Sequence, residues 1–257
     1  MLRLTDIKLP LGHAPEALAA AIAKKLGLAT APDHTVVKRG LDARKEEDVT
    51  QALSELSSKG TVVGSALDVS NADSYRTWIA KSAADLGGID IFVHNVSGGG
   101  GMDGENSWYK VFETDVMGAV RGVEAATPFL KESGVGSVIF IGTTAAVETF
   151  MAPMAYNALK AGMVTYAKQL SQALGPANIR VNVVCPGPIY FEGGAWENIK
   201  NAAPDLYNTH LAMQPNGRMG SPEEVANAVT FLASPAASWV TGVNLIVDGG
   251  YTKRVQL

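Results

Sequence analysis

The stretch from residue 138 to residue 162 constrains the fold more than any other part of the chain. It begins with an unbroken apolar run at 138–141, Val-Ile-Phe-Ile. A run without polar alternation is typical of a strand buried on both faces of a parallel sheet. Small and polar residues follow at 142–146, and a helical pattern runs through 155–173. The sequence therefore predicts a buried strand, a loop and a helix of an α/β fold.

Three polar side chains are expected to converge around this loop. Thr143 lies at the predicted strand end, thirteen residues before Tyr156, and Lys160 follows Tyr156 by one helical turn. Ligands of open α/β sheets bind at the carboxyl ends of the strands. A phenol has a pKa of about 10, and we expect the Lys160 ammonium to lower the pKa of Tyr156. Tyr156 could then exchange a proton with a carbonyl or alcohol oxygen; alternatively, Tyr156 and Lys160 are ordinary residues of a helix surface.

Length and patterning favour a single α/β domain. The chain has 257 residues, 47% of them hydrophobic, which suffices for one large core. Strand patterns, including 61–67 and 89–94, alternate with helical ones, among them a long helical stretch at 106–133. We find no repeat and no linker, and therefore predict a single-domain doubly wound parallel sheet, Rossmann-like, with helices on both faces.

Composition argues against several classes of protein. A net charge of −4 without a basic cluster does not fit a nucleic-acid-binding protein. No apolar run is long enough to span a membrane, and the N-terminus lacks the apolar core of a signal peptide. Cys185 is the single cysteine, which fits a reducing cytoplasm, and we interpret it as a buried apolar residue. No metal site is predicted.

From about Lys45 to the C-terminus, the sequence resembles the short-chain dehydrogenase/reductase family. Each motif is modest alone, but their common order and spacing make the set specific. The motifs are Leu67-Asp68-Val69, His94-Asn95-Val96-Ser97, Thr143 with Tyr156 and Lys160, Cys185-Pro186-Gly187, Gly217-Arg218-Met219-Gly220, Pro222-Glu223-Glu224-Val225, Val240-Thr241-Gly242 and Val247-Asp248-Gly249-Gly250. The resemblance implies hydride transfer between a nicotinamide cofactor and a small carbonyl or alcohol substrate.

The resemblance also implies roles for the residues at the centre of the site. Tyr156 would handle the proton of the reacting oxygen, and Lys160 would lower the pKa of Tyr156 and hold the nicotinamide ribose. Thr143 replaces the family's usual Ser and would orient the substrate oxygen. Asp115 stands where the family often has an Asn that completes a proton-relay water site. An Asp can accept a hydrogen bond from water, but it adds a negative charge near Lys160.

Further positions match the family's cofactor-binding residues, which contact the adenine ring, border the central strand or lie along the nicotinamide. These positions are Asp68, Val69, Asn95, Pro186, Gly187 and Ile189. For Asp68, a structural cap at the strand end is an equal alternative. Arg44 matches the family's basic position for the 2′-phosphate of NADP. Because the neighbouring Asp42 would favour the ribose hydroxyl of NAD, NAD remains the alternative cofactor. Arg44 could also be a solvent-exposed residue at the start of a helix.

The family's variable substrate lid corresponds to about residues 188–215. Tyr190, Phe191 and Trp196 lie there, and three aromatic residues this close indicate an apolar or ring-bearing substrate. Core packing and a subunit contact are the alternatives. Glycines at 193 and 194 would let the lid hinge.

Members of the family are commonly homotetramers in which long central helices pair, here 106–133 and 155–174. The residues expected at that contact are apolar and have helical spacing. They are Trp108, Val111, Phe112, Val116 and Val120.

The first 44 residues depart from the family pattern. The family has Thr-Gly-x-x-x-Gly-x-Gly after its first strand, where glycines let backbone N–H groups approach the pyrophosphate. At residues 11–19 this chain reads Leu-Gly-His-Ala-Pro-Glu-Ala-Leu-Ala, with Gly12 as the one matching glycine. The segment resembles instead the N-terminus of a group of flavin-dependent dehydrogenases. A second hypothesis is therefore a binding or scaffold protein with a crippled dinucleotide site.

This departure predicts weak dinucleotide binding. Replacing residues 12–19 with Thr-Gly-Gly-Ser-Ser-Gly-Ile-Gly should strengthen NADPH binding at least tenfold, about 1.4 kcal/mol, because it removes side chains and the Glu16 charge from the pyrophosphate path. Fluorescence titration of both proteins with NADPH measures the change. Low-micromolar binding by the unaltered chain would contradict this prediction.

Overall fold

The computed structural model describes residues 46–255. The strands are β1 (Ile91–His94), β2 (Ser137–Ile141), β3 (Arg180–Pro186) and β4 (Asn244–Val247). The α-helices are α1 (Glu46–Leu56), α2 (Ala72–Leu86), α3 (Glu105–Val111), α4 (Gly118–Ser133), α5 (Ala155–Leu174), α6 (Ala195–Ala202), α7 (Pro204–Ala212) and α8 (Pro222–Ala233). Gly12 and Arg44 lie outside the described residues, and the extent of a single domain over 1–257 stays a prediction.

The four described strands form one parallel sheet in the order β1-β2-β3-β4. Phe92 pairs with Val138, Val138 with Val181, and Val184 with Leu245. Each crossover between parallel neighbours passes through at least one helix, as a parallel sheet requires. The sheet confirms the predicted α/β, Rossmann-like fold.

Helices cover both faces of the sheet because side chains alternate along each strand. Val138 and Phe140 of β2 point into one core, which also contains residues of α2, α4 and α5. Ile139 points into a second core together with Val229 and Leu232 of α8. All three β2 side chains are completely buried. The unbroken apolar run is therefore explained by burial of β2 on both faces of the sheet, as the sequence indicated.

Two predicted elements differ from the structure. The run 61–67 has no regular secondary structure, so the predicted strand is wrong: β-branched residues do not make a strand without a paired backbone. The predicted helix over 106–133 consists of α3, a π-helical segment (Phe112–Met117) and α4. Gly118, the residue that follows the π-helical segment, packs closely against other elements, since a Cβ there would lie 3.1 Å from Val69 and 3.2 Å from His94.

The guanidinium group of Arg180 connects the end of α8 to β3 by hydrogen bonds. Arg180, the first residue of β3, donates to the carbonyl oxygens of Leu232 at 2.5 Å and Ala233 at 3.2 Å. It also donates to the carbonyl of Ser234 at 3.3 Å. The last carbonyls of a helix have no partners within the helix, and a cation there is favourable. Arg180 thus positions α8 against the sheet.

Within residues 46–255, none of the helices has the length and apolar character needed to cross a bilayer. In the same range, no three or more His, Cys, Asp or Glu side chains are grouped closely enough to hold a metal ion.

Replacing Arg180 with Met should lower the free energy of unfolding by about 2 kcal/mol, because hydrogen bonds from a charged group to the carbonyls at the end of α8 are lost. Arg76→Met is the matched control, since Arg76 is half-exposed and its ion pairs are long, at 3.8 and 3.9 Å. The control should change stability by less than about 0.5 kcal/mol. Urea unfolding measures both, and equal losses would contradict the capping role.

Candidate active site

The site lies where the parallel strands end. Because their carboxyl ends share one edge of the sheet, β1 delivers Asn95, β2 delivers Thr143 and β3 delivers Pro186 to the same edge. Tyr156 lies in the first turn of α5, which packs against β3. The fold therefore brings the predicted side chains together from separate elements.

Thr143 and Tyr156 lie close to each other, and the Thr143 hydroxyl acts to lower the pKa of the Tyr156 phenol. Thr143 has an extended backbone and caps a short 3₁₀ turn, where its hydroxyl oxygen accepts from the Ala145 N–H at 3.2 Å. The turn fixes the Thr143 hydroxyl beside the phenol. Both hydroxyls can then reach one substrate oxygen.

Lys160 is 2% exposed and held on two sides. Its Nζ donates to the carbonyl of Ile141 at 2.9 Å, at the end of β2. It also lies 3.0 Å from Oδ2 of Asp115 and 5.7 Å from the centroid of the Tyr156 ring. The hydrogen bond to Ile141 and the ion pair with Asp115 thus leave at least one of the three ammonium N–H groups for a ligand.

Asp115 is completely buried and lies on the π-helical segment. While Oδ2 faces Lys160, Oδ1 accepts from the Gly98 N–H at 2.6 Å. The backbone carbonyl of Asp115 lies 3.0 Å from Nε2 of His94. Single-turn π segments are frequent at functional sites, and this one places a carboxylate between the glycine loop after β1 and the lysine of α5.

The environment raises the pKa of Tyr156 to about 12. Burial is the largest cause, since it disfavours the phenolate, and Asp115 and Cys185 act in the same direction. The Thr143 hydroxyl acts in the opposite direction. The expected lowering of this pKa by Lys160 is therefore wrong for the chain without cofactor. The physical reason is that Tyr156 is largely desolvated, while Asp115 lies against the ammonium.

Cys185 is the buried residue that its surroundings in the sequence indicated. Its side chain is 0% exposed, and burial raises the pKa of its thiol to about 11. A Cβ at Gly142 would lie 2.5 Å from its sulfur. Cys185 thus packs beneath the Gly142-Thr143 turn and is not a thiolate nucleophile.

The positions matched to cofactor contacts differ in what they offer. Asp68 is exposed, and its Oδ1 accepts from the Ser70 N–H at 2.9 Å, so it stabilises the turn before α2, while its contact with the adenine ring stays a prediction. Val69 is 7% exposed and packs in the core, which leaves its backbone for ligand contact. Asn95 is exposed at the end of β1, where a ligand can reach its amide.

The segment after β3 is fixed against the end of β4. The Gly187 N–H donates to the Val247 carbonyl at 3.0 Å, and a Cβ at Gly187 would lie 2.6 Å from that of Asp248. Ile189 forms an isolated parallel bridge with Gly220. Pro186 lies at the end of β3, so the segment follows the ligand-binding edge of the sheet.

These residues fit the nicotinamide and adenine portions of a dinucleotide. Lys160 has a third N–H for a ribose hydroxyl, and Asn95 and Asp68 present an amide and a carboxylate to solvent. The turn at 12–19 that would meet the pyrophosphate is outside the described residues.

The lid contains α6 and α7, and its aromatic residues pack on one another. Trp196 is 9% exposed, with ring centroids of Phe150, Tyr207 and His210 at 6.1, 6.5 and 5.2 Å. Tyr190 packs edge-on against Tyr207 at 6.1 Å. Trp196 therefore belongs to an aromatic cluster that joins the lid to the loop before α5.

Two residues of this cluster, Phe150 and His210, were not identified from the sequence. Nδ1 of His210 lies 2.6 Å from the hydroxyl of Tyr251, which connects α7 to the segment after β4. Burial lowers the pKa of His210. The sequence pattern of α7 does not indicate that His210 contacts Tyr251, which lies 41 residues further along the chain. Phe191, in contrast, is 39% exposed and remains accessible at the start of the lid.

A cavity of about 360 Å³ borders the glycine loop at 98–101. Ser107, Asp103 and Lys110 supply its polar lining. The sequence indicated only a flexible loop there. A Cβ at Gly100 would lie 3.9 Å from the sulfur of Met154, two residues before Tyr156. Because the residues of this loop are glycines, the loop leaves space close to the start of α5.

The residues predicted for subunit contact are not equally accessible. Trp108 is 48% exposed and Phe112 is 40% exposed, whereas Val111 is 1% exposed. The prediction for Val111 is wrong because its side chain packs inside the subunit. Val116 and Val120 are partly buried.

A family model described as enoyl-(acyl carrier protein) reductase matches residues 12–252. The chain belongs to the short-chain dehydrogenase/reductase family. The match begins inside the segment that the sequence indicated as atypical, and it confirms an oxidoreductase. Isoepoxydon dehydrogenase of Penicillium expansum is 42% identical over 190 residues, which cover 73% of each chain.

Solved structures of the same family agree in fold. A 7α-hydroxysteroid dehydrogenase complexed with NADH and 7-oxo glycochenodeoxycholic acid has a TM-score of 0.76 at 28% identity and covers 89% of both chains. L-Sorbose reductase from Gluconobacter frateurii, complexed with NADPH and L-sorbose, has a TM-score of 0.74 at 28% identity. That match covers 82% of this chain and 86% of the reductase.

Trp196→Ala should lower the free energy of unfolding by about 3–5 kcal/mol, because it empties a buried aromatic position. The matched variant Phe191→Ala should cost less than about 1 kcal/mol, since Phe191 is 39% exposed. Urea unfolding separates the two. Equal losses would mean that Trp196 does not hold the lid together.

Proposed function

We propose that this chain is an NADP-dependent oxidoreductase that interconverts a carbonyl compound and a secondary alcohol. The observation that carries the proposal is the convergence of Thr143, Tyr156 and Lys160 at the carboxyl edge of the sheet. Two hydroxyls and an ammonium held within one turn and one helix suit proton exchange with a substrate oxygen.

Each residue of the chain has a defined task in this mechanism. NADPH, when bound, supplies the hydride that the protein itself cannot provide. In the reducing direction, Tyr156 donates its proton to the substrate oxygen, and in the oxidising direction it accepts that proton. Thr143 holds the same oxygen by its hydroxyl. Lys160 uses its third N–H for the nicotinamide ribose.

The choice of NADP over NAD rests on Arg44, which matches the family's 2′-phosphate position. One structural relative was solved with NADH and another with NADPH, so NAD is the alternative. Comparing the apparent Kd of NADPH and NADH tests the choice. Arg44→Ala should weaken NADPH more than NADH, because it removes the phosphate partner.

A small molecule that bears a ring is the substrate class that we propose. Exposed Phe191 at the start of the lid supports an apolar substrate, and the cavity beside the glycine loop adds apolar and polar surface. Tyr190 and Trp196 would shape the lid from within its aromatic cluster. Isoepoxydon is the first compound to test, because a relative 42% identical is named for it.

A second candidate function is favoured by the sequence of residues 11–19, which lacks the family's later glycines. A chain with a crippled pyrophosphate site would act as a binding or scaffold protein on the same fold. Titration with NADH and NADPH by tryptophan fluorescence distinguishes the two functions, since the scaffold would not respond to millimolar dinucleotide.

For assembly, we infer a homotetramer in which α3, α4 and α5 pair between subunits. Exposed Trp108 and Phe112 support this contact. A monomer mass by light scattering at micromolar concentration would contradict it. The single cysteine supports a reducing compartment, and the cytoplasm is the location that we propose.

Tyr156→Phe should reduce turnover by about a hundred- to ten-thousand-fold, because it removes the transferable proton and keeps the ring. Tyr109→Phe is the matched control, since Tyr109 is 63% exposed on α3, and it should retain full activity. NADPH absorbance with an accepted carbonyl substrate measures both. More than a third of the activity left in Tyr156→Phe would overturn the assignment.

A further inference from the structure

The buried ion pair between Asp115 and Lys160 sets the charge around Tyr156. The two side chains are 0% and 3% exposed, and their charged atoms are 3.0 Å apart. At this distance and burial, the carboxylate cancels much of the field of the ammonium. Lys160 therefore faces Tyr156 as half of a neutral pair and not as an isolated cation.

The carboxylate is fixed from several sides. Oδ1 accepts from the Gly98 N–H at 2.6 Å, and the π-helical segment turns the Asp115 side chain toward α5. Lys160 is in turn held at the end of β2 by the carbonyl of Ile141. Neither group can move away from the other without leaving a buried polar group unpaired, which is costly.

The other titratable groups around Tyr156 do not replace this cation. Cys185 on β3 is a neutral buried thiol, and His94 on β1 contacts the carbonyl of Asp115. Glu105 and Lys110 on α3 are exposed. In the loop before α5, Glu148 accepts from the Lys253 N–H at 3.3 Å.

We propose that Asp115 is a positioning residue that holds and neutralises Lys160, and thereby keeps Tyr156 in its protonated, proton-donating form. This inference rests on the proposed role of Tyr156 as acid and base. It assigns the chain without cofactor a phenol that is ready to protonate a carbonyl oxygen. The direction of the pKa of Tyr156, which burial and Asp115 raise, agrees with it.

Titration of Tyr156 tests the inference without any turnover. The full chain, labelled with ¹³Cζ-tyrosine, is titrated by NMR, and Tyr156→Phe identifies the resonance. Asp115→Asn keeps the shape and removes the charge, so the proton dissociation constant of Tyr156 should rise at least tenfold. A change of less than threefold in a folded protein would overturn the proposal.

Two further variants separate the charge of Asp115 from a general effect. Glu113→Gln removes another carboxylate of the π-helical segment, which is 43% exposed and paired with Arg121 at 2.9 Å. It should leave the dissociation constant of Tyr156 unchanged, and a shift equal to that of Asp115→Asn would contradict a specific role. Lys160→Met should lower the dissociation constant of Tyr156, the opposite of Asp115→Asn, because it leaves the carboxylate beside the phenol without its cation; a rise would contradict the assignment of the two charges.

The outcomes distinguish this inference from the proposed function. An inactive but normally titrating protein would reject the oxidoreductase and leave the charge assignment intact. Active protein with an unshifted Asp115→Asn titration would reject the charge assignment alone. Asp115→Ser, checked by circular dichroism, replaces Asp115→Asn if that variant does not fold. Loss of the fold in both would identify a folding contact and overturn the tuning role.

Discussion

The geometry of the site depends on the ion pair between Asp115 and Lys160. A buried carboxylate or ammonium without a partner would cost several kcal/mol, about 3–5 when one partner is removed. The pair therefore requires that the π-helical segment, the glycine loop after β1 and the start of α5 come together in one arrangement. The Ile141 carbonyl adds the end of β2 to the same contact. Tyr156, one turn before Lys160 on α5, is positioned as a consequence.

The packing on both faces of the sheet supplies the rigidity that this pair needs. Val138 and Phe140 pack against α4 and α5 on one face, while Ile139 packs against α8 on the other. With β2 buried on both sides, Thr143 emerges from a strand that has little freedom to shift. The Thr143 hydroxyl, fixed by the Ala145 N–H, then lies at a fixed place beside the proton-exchanging group.

Local sequence patterns predicted a large part of this architecture. The unbroken run of β2 predicted its burial, and the four-residue spacing of Tyr156 and Lys160 predicted their common face. The π-helical segment could not be predicted, because its apolar spacing continues the helical pattern of the residues on either side. The direction of the Tyr156 pKa was also missed: it depends on burial and on a carboxylate 41 residues earlier in the chain. His210 and Phe150 join the lid cluster through contacts between distant segments, which no local period encodes.

Hydride transfer is the central claim, and deuterium transfer tests it most directly. The protein is incubated with NADPH that carries deuterium at both hydrogen positions of nicotinamide C4, and with the ketone formed by oxidising isoepoxydon or another cyclic ketone that it reduces. We expect one deuterium on the new carbinol carbon of the product by mass spectrometry, and loss of this transfer in Tyr156→Phe. Reduced product whose carbinol hydrogen comes from water, or binding of NADPH without transfer to any ketone, would contradict the account.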